Sequence, residues 1–190
     1  MAYIGLSKPF YATYSANGTT VTYSSGGSIG KAVSASIAID GKDPTILYAD
    51  NGPAESAAIF GGGTLTLGVD KLDLTVAAAL LGITAPTTNT TPTPAIFGGD
   101  AVAPYVGVGI VVKSVEGGSA VWRAVILYKV QFKLPDFEWN TQGESIEFST
   151  PELEATILRD DTAASKWGSM QDFTTEADAV AAIKSALSIT

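Results

Sequence analysis

The stretch from Ser145 to Leu158 alternates apolar and polar residues and then changes phase at a proline. Ile146 and Phe148 share one face, and Ser145, Glu147 and Ser149 the other. Beyond Thr150-Pro151 the apolar positions become Leu153, Ala155 and Ile157. Proline cannot donate a ladder hydrogen bond, so a strand that crosses one sits at a sheet edge, or carries a bulge where it bends toward another sheet. A long open edge invites aggregation unless a neighbour covers it. Thr150, Pro151 and Leu153 are therefore candidates for contact with a second copy.

Period-two patterns recur along the chain. Phe10–Ser15 and Thr19–Ser24 flank Ala16-Asn17-Gly18, a hairpin signal, and Gly26-Gly27-Ser28 marks a break after the second run. Val33–Ile39 places Val33, Ala35, Ile37 and Ile39 on one face. Thr45–Tyr48 and Ala57–Phe60 are short strands around the turn Asp50-Asn51-Gly52-Pro53, and Leu65, Leu67 and Val69 alternate with Thr64, Thr66 and Gly68. Tyr105–Val115 and Ala120–Lys133 are long β runs around Glu116-Gly117-Gly118. In the second run Trp122, Ala124, Ile126, Tyr128, Val130 and Phe132 fall on one face.

Two stretches change period. In DKLDLTVAAALLG, Asp70 or Asp73 can cap a helix, Leu72, Val76, Ala79 and Leu80 line one side, and Gly82 can end it. The opposite side, with Leu74, Ala77, Ala78 and Leu81, is apolar too, so the helix is either buried in its own domain or covered by a neighbouring subunit. Leu74, Ala78 and Leu81 are the inter-subunit candidates on it. At the C-terminus, Thr174 or Thr175 can cap a helix presenting Val180, Ile183 and Leu187. TAPTTNTTPTP, from Thr84 to Pro94, predicts an extended surface loop. The pattern predicts a mainly β fold, a sandwich or barrel with a flanking α-helix at about 71–82 and a C-terminal helix at about 175–188. Residues 1–160 form one domain with extended loops near 40–64 and 84–100, and 161–190 form a C-terminal extension carrying the second helix.

At 190 residues the chain is long enough to bury a sizeable core. Its apolar runs are too short to cross a bilayer as helices, and MAYIGLSKPF lacks the layout of a secretory signal. Without Cys or His, the thiolate and imidazole routes to metal binding and nucleophilic catalysis are closed. Charge is uneven. Residues 1–135 hold eight acids and eight bases, whereas 136–178 hold eleven acids against Arg159 and Lys166. Lys184 brings the total to −8, a poor balance for gripping phosphate backbones. Such acids serve as solvated faces, or as a surface to which passing DNA does not stick.

Specific chemistry finds little support. Gly30-Lys31 has Ser25 and Ala32 where a phosphate-binding loop needs Gly and Ser or Thr. Gly61–Gly63 precedes a strand rather than a helix, and the acidic turns at Asp40–Asp43 and Asp50–Gly52 lack the ligand series of a calcium loop. Glu147, Glu152 and Glu154 could pair for glycoside hydrolysis only across a cleft. No catalytic, cofactor or metal residue is assigned, and the expectation is a protein that is not an enzyme.

The segments TILYADNG, GTLTLGVDKLDL, LLG, DAVAPYVGVGIVVK, LYKVQFKLP and TQGESIEFSTPELEATI occur in the order seen in major tail proteins of long, non-contractile-tailed bacteriophages. From about Ile4 to Leu158 the chain resembles this phi13-like family. The resemblance implies a tail-tube subunit: a β-sandwich with a flanking helix, forming hexameric rings that stack into a hollow tube. In such tubes neighbouring sheets join around a lumen that conducts DNA without specific binding. The implied partners are further copies of the chain, a tape-measure protein, a tail terminator and distal tail or baseplate proteins, with no membrane. The implied location is the virion, after synthesis in the host cytoplasm. Lumen-facing acids would come from Glu144, Glu147, Glu152 and Glu154. The Thr/Pro stretch 84–94 and the residues beyond Asp160 depart from the family pattern. The alternative is a β-sandwich module that recognises a cell-surface glycan through exposed aromatics or the Thr-rich loop.

Overall fold

Gly18 takes φ 62°, the left-handed conformation an Asn-Gly turn requires, and Asn17 pairs with Thr20 across it. This turn joins β1 (Ala2–Asn17) to β2 (Thr20–Ser28). In the computed structural model, which describes residues 2–41, 45–49, 52–57, 59–87, 92–136 and 150–190, the hairpin is one end of a large antiparallel sheet. The other strands are β3 (Ala32–Asp40), β4 (Thr45–Ala49), β5 (Gly52–Ala57), β6 (Gly62–Val69), β7 (Tyr105–Glu116), β8 (Ser119–Phe132), β9 (Glu152–Leu158) and β10 (Gly168–Phe173). The helices are α1 (Leu74–Leu81) and α2 (Glu176–Ala186), so both predicted helices form. β2 continues past Gly26-Gly27, where the sequence suggested a break, but its register with β1 shifts there around Ser25. The strand expected from Ser145 is described from Glu152 onward; its first half, like the turn residues Asp50 and Asn51, lies outside the described residues.

The sheet order is β2-β1-β7-β8-β9-β6-β3, with β10 also paired to β8, while β4 and β5 pair with each other. The fold is mainly β, as expected, and its large antiparallel sheet curls so that β3 comes against β1. Its main core gathers Leu65, Leu67 and Val69 of β6, Leu153, Ala155 and Ile157 of β9, Val106, Val108 and Ile110 of β7, and Ala77, Leu80 and Leu81 of α1. Alternation on each strand supplies these residues, since side chains two apart share a face. A second, smaller core lies on the opposite face of β7 and β8, where Ala179, Ile183 and Leu187 of the α2 region meet Ala12, Val111, Ala124 and Ile126.

The two cores explain a departure from the predicted face of β8. Val106 pairs with Val130 but Val108 with Leu127, so β8 carries one extra residue at Tyr128–Lys129. Before this bulge Ala124 and Ile126 face α2; after it, Val130 and Phe132 face the main core. The bulge is also where β8 changes partner. Residues Trp122–Leu127 pair with β10, and Lys129–Phe132 pair with β9. An unbroken alternation would have sent Val130 and Phe132 to the wrong side.

Residues 161–190 are packed into this architecture. Beyond the β10 ladder, α2 lies so close to β7 that a Cβ on Gly107 would sit 2.6 Å from Leu187 Cδ2, and one on Gly109 would sit 2.2 Å from Ile183 Cγ2. Thr175 caps α2, Glu176 and Asp178 stand at its positive end and Lys184 in its last turn, as a helix dipole favours. The Thr/Pro segment folds loosely back on itself through bridges Thr84–Ile96 and Thr87–Thr93.

Candidate assembly surfaces

β3 is the far end of the sheet. β6 zips along one side of it, and its other side has no strand partner among the described residues. The strand reads AVSASIAID, with no proline and no charge before Asp40. Proteins usually blunt such edges with charge, proline or a covering element. A bulge at Val33, between the Ala32–Val69 and Ser34–Gly68 pairs, turns that side chain out to 55% exposure, which breaks the predicted Val33–Ile39 face. From Ser34 to Asp40 the register is unbroken.

Beside this edge lies an open groove of roughly 720 Å³, lined by Tyr3 and Leu6 of β1, Ile37 of β3, Ile110 and Val112 of β7, Val125 of β8 and Met170 of β10, among others. β2 pairs with β1 only from Phe10 onward, so the Ala2–Lys8 part of β1 also has an open side among the described residues. Arg123 stands in the groove, with Nε and Nη2 donating to Asp172 at 2.7 and 2.8 Å and Nη1 donating to the Tyr3 hydroxyl at 2.8 Å. The bonds from Arg123 hold the Asp172 carboxyl below its usual range.

The outward face of β9, β6 and β3 is chemically different. Opposite the core positions it presents Ser34, Ser36 and Ala38, then Thr64, Thr66 and Gly68, then Glu152, Glu154 and Thr156, in cross-strand register. None of these three strands contains Lys or Arg. Glu152 and Glu154, predicted lumen acids, are exposed side by side on this face, and Glu154 is bridged by Lys133 from beyond the end of β8. Glu144 and Glu147 lie outside the described residues.

The predicted contact residues divide. Asp73 caps α1 by accepting from Thr75 N at 2.9 Å, and Gly82, at φ 69°, closes it with its N–H on Ala78 O at 3.0 Å. Leu81 is 1% exposed and Leu153 is fully buried, both in the chain's own core, so neither offers surface to another copy; this corrects the expectation for them. α1 buries the side bearing Ala77, Leu80 and Leu81 instead. Leu74 is 52% exposed, Ala78 is half-buried and Thr150 is exposed. Pro151 stands just before β9, where a missing N–H costs no ladder bond, and its carbonyl accepts from Val69 N at 3.1 Å.

A polar cluster that the sequence did not advertise ties the C-terminal segment to the β8 bulge. The Tyr14 hydroxyl donates to Asp161 Oδ2 at 2.6 Å, and Lys129 Nζ donates to the same oxygen at 2.7 Å. The Lys129 ammonium also lies over the Tyr14 and Tyr105 rings, 5.2 and 4.6 Å from their centroids. Burial, then the bond to Asp161, pushes the Tyr14 hydroxyl up to about 12. Lys129 first and Tyr14 second hold the Asp161 carboxyl below its usual value.

Among the described residues no group of His, Cys, Asp or Glu could hold a metal ion, and no helix is long and apolar enough to cross a membrane. The chain matches no known protein-family model and no curated protein.

Proposed function

We propose that the chain is a structural subunit of a bacteriophage tail tube, whose copies join into stacked hexameric rings around a channel for DNA. The observation that carries this reading is the open, uncharged edge of β3 beside an apolar groove, on the same limb as a face of hydroxyls, small residues and carboxylates. A free edge bonds to a further strand through its backbone, and the groove supplies apolar area to be buried with it. When the surface used on one copy differs from the surface used on the next, the contact repeats into rings or filaments. The base-free face of β9, β6 and β3 suits the lumen. Its strands carry no Lys or Arg, and the Lys133 ammonium that reaches it is tied to Glu154, so it repels phosphates and lets DNA slide past. The sequence resemblance to major tail proteins supports the same assignment, including the tape-measure, terminator and distal tail proteins as partners.

Negative-stain microscopy of the purified full chain across a wide concentration range tests this proposal. Hollow tubes or rings with a regular axial repeat are expected. Particles that stay monomeric at every concentration would overturn it.

A further inference from the structure

We propose that β4 and β5 form a hinged arm, and that the C-terminal segment latches its root through Phe60, Trp167 and Arg159. The inference goes beyond the tail-tube reading and does not rest on it, since it concerns how one copy holds its own hairpin.

The ladders define the arm. β3 pairs with β6 in one register from Ser34–Gly68 to Asp40–Gly62, and β4 pairs with β5 from Thr45–Ala57 onward. The stretches between the two ladders, 41–44 and 58–61, are equal in length. Thr45 therefore meets Ala57, the partner that the β3–β6 register would give it. The four strands are the two sides of one long hairpin with a break in the middle.

The break is the place to turn. Gly61 N donates to Asp40 O at 3.0 Å where the β3–β6 ladder ends. Gly41 follows at φ 72°, and a Cβ there would run into Ile59 O and stand 2.9 Å from Gly61 N. Glycine lets the two sides pass this closely, and its wide range of φ and ψ suits a hinge at the end of an element. A two-stranded hairpin is marginal by itself, so the contacts at its root decide where it points.

Those contacts come from residues 159–167. Trp167 stacks on Phe60, with ring planes 4° apart and centroids 5.3 Å apart. Arg159 Nη2 donates to the Phe60 carbonyl at 2.7 Å, and its guanidinium lies 5.6 Å from the centre of the same ring. Phe60 immediately precedes Gly61, so its ring and its carbonyl are both held at the break.

The platform is anchored on its other side. Trp167 O accepts from Tyr128 N at 3.1 Å, at the β8 bulge, and Asp160 N donates to Lys166 O at 2.7 Å. The buried Asp160 carboxylate accepts from Lys166 N at 2.7 Å and from Thr162 Oγ1 at 2.8 Å. Asp161 is tied to Tyr14 and Lys129. With the platform fastened to β1 and β8, loss of the Phe60 contacts frees the arm and leaves the platform in place. Such a latch orients the arm before any partner meets it, which lowers the entropy lost on docking.

The chain has no cysteine, so spin labels can be placed without background. Glu55→Cys on β5 with Thr22→Cys on β2 reports the arm against the body, and Thr22→Cys with Ser36→Cys on β3 reports the body alone. Pulsed electron spin resonance on the full chain, diluted to keep it monomeric, should give one narrow distance for each pair. Phe60→Ala, and separately Arg159→Gln, should broaden the arm distance about twofold or more and leave the body distance unchanged. Trp167→Phe keeps an aromatic face against Phe60 and should keep the arm distance narrow. A broad arm distance in the unaltered protein, or equal widths with and without the Phe60 ring, would overturn the latch. Broadening of both pairs would mean a loosened body rather than a released hinge, and would overturn it as well.

Discussion

The seat of α2 on β7 gives the most direct test of the packing. Gly109 has ordinary extended backbone, and Ile183 and Leu187 above β7 are fully buried. A methyl at Gly109 would meet Ile183 Cγ2 at 2.2 Å and its Cγ1 at 3.2 Å, well inside contact distance. If α2 holds its place, the overlap costs about 1–3 kcal/mol, typical of an overfilled core. If α2 lifts instead, burial of Ile183 is lost, which is worth about 1.5–3 kcal/mol. Both routes put Gly109→Ala at roughly 1–3 kcal/mol of destabilisation, less about 0.4–1 kcal/mol that alanine returns by restricting the unfolded chain. Ile183→Ala alone leaves a cavity and costs about 2–5 kcal/mol. In the double variant the new methyl occupies part of that cavity, so the losses should fall short of additive by about 1 kcal/mol or more. Denaturant titration of the four proteins under conditions that keep them monomeric measures the cycle. A stabilised Gly109→Ala protein, or costs that add within about 0.5 kcal/mol, would refute the claim that the glycine exists to admit the isoleucine.

Other sites are expected to respond in their own ways. Tyr14→Phe removes the hydroxyl held between Asp161 and its backbone N–H, and should cost about 1.5 kcal/mol by urea denaturation; a loss near zero would mean the cluster is ornamental. The Asp161 carboxyl titrates below its ordinary value of 3.8 in the folded protein, so its contribution is present above that pH and is lost as pH falls through the lower folded value. The stability gap between wild type and Asp161→Asn should therefore shrink steadily below about pH 4, and a gap constant down to about pH 2 would contradict the assignment. Asp73→Ala, which uncaps α1, should cost about 1 kcal/mol in the same assay, and an Asp73→Ser variant should recover most of it. Glu152→Lys together with Glu154→Lys should leave assembly intact and slow DNA ejection from reconstituted phage, since cations would replace carboxylates on the proposed channel wall; ejection at the normal rate would remove that face from the lumen.

Much of this architecture could be read from alternation alone. The Asn17-Gly18 turn, the Glu116–Gly118 turn, the helix ends at Asp73 and Gly82, and the inward residues of β6 and β9 are local statements, and local chemistry decides them. The failures came where tertiary pairing overrode the period. A regular pattern carried Trp122 to Phe132 along one face, but β8 needs an extra residue to change partners, and only the register with β7 reveals it. Leu81 and Leu153 looked available because an apolar helix face and a strand near a proline say nothing about which neighbour fills the space. The reason for Gly107 and Gly109 appears only in the packing, where Leu187 and Ile183 lie against them. The Tyr14–Lys129–Asp161 cluster joins residues more than a hundred positions apart and had no signal in spacing.

Which edge of the sheet can accept another chain depends on how each is finished. β2 is interrupted: its register with β1 shifts between Tyr11 and Thr13, Ser25 is forced to φ 50°, and Gly26-Gly27 comes next, so a partner would find no continuous row of donors and acceptors. β10 is six residues long and carries Asp172, committed to Arg123, with Met170 turned to the groove. The β8 edge is shared between β10 and β9 with no gap wide enough for an intruder. Beyond its early bulge, β3 offers seven residues from Ser34 to Asp40 in unbroken register with β6, uncharged until the last, and its other side has no strand partner among the described residues. Edges are usually disabled by such interruptions, and here the devices appear on the other margins and are missing from β3. Because β3 also borders a groove lined by the exposed Tyr3, Val33 and Met170, a strand arriving there gains backbone pairing and side-chain burial together. In the proposed assembly a joint at this edge would be heterologous: the groove side accepts a strand only if a different part of each copy supplies one, and contacts of that kind repeat into rings or filaments.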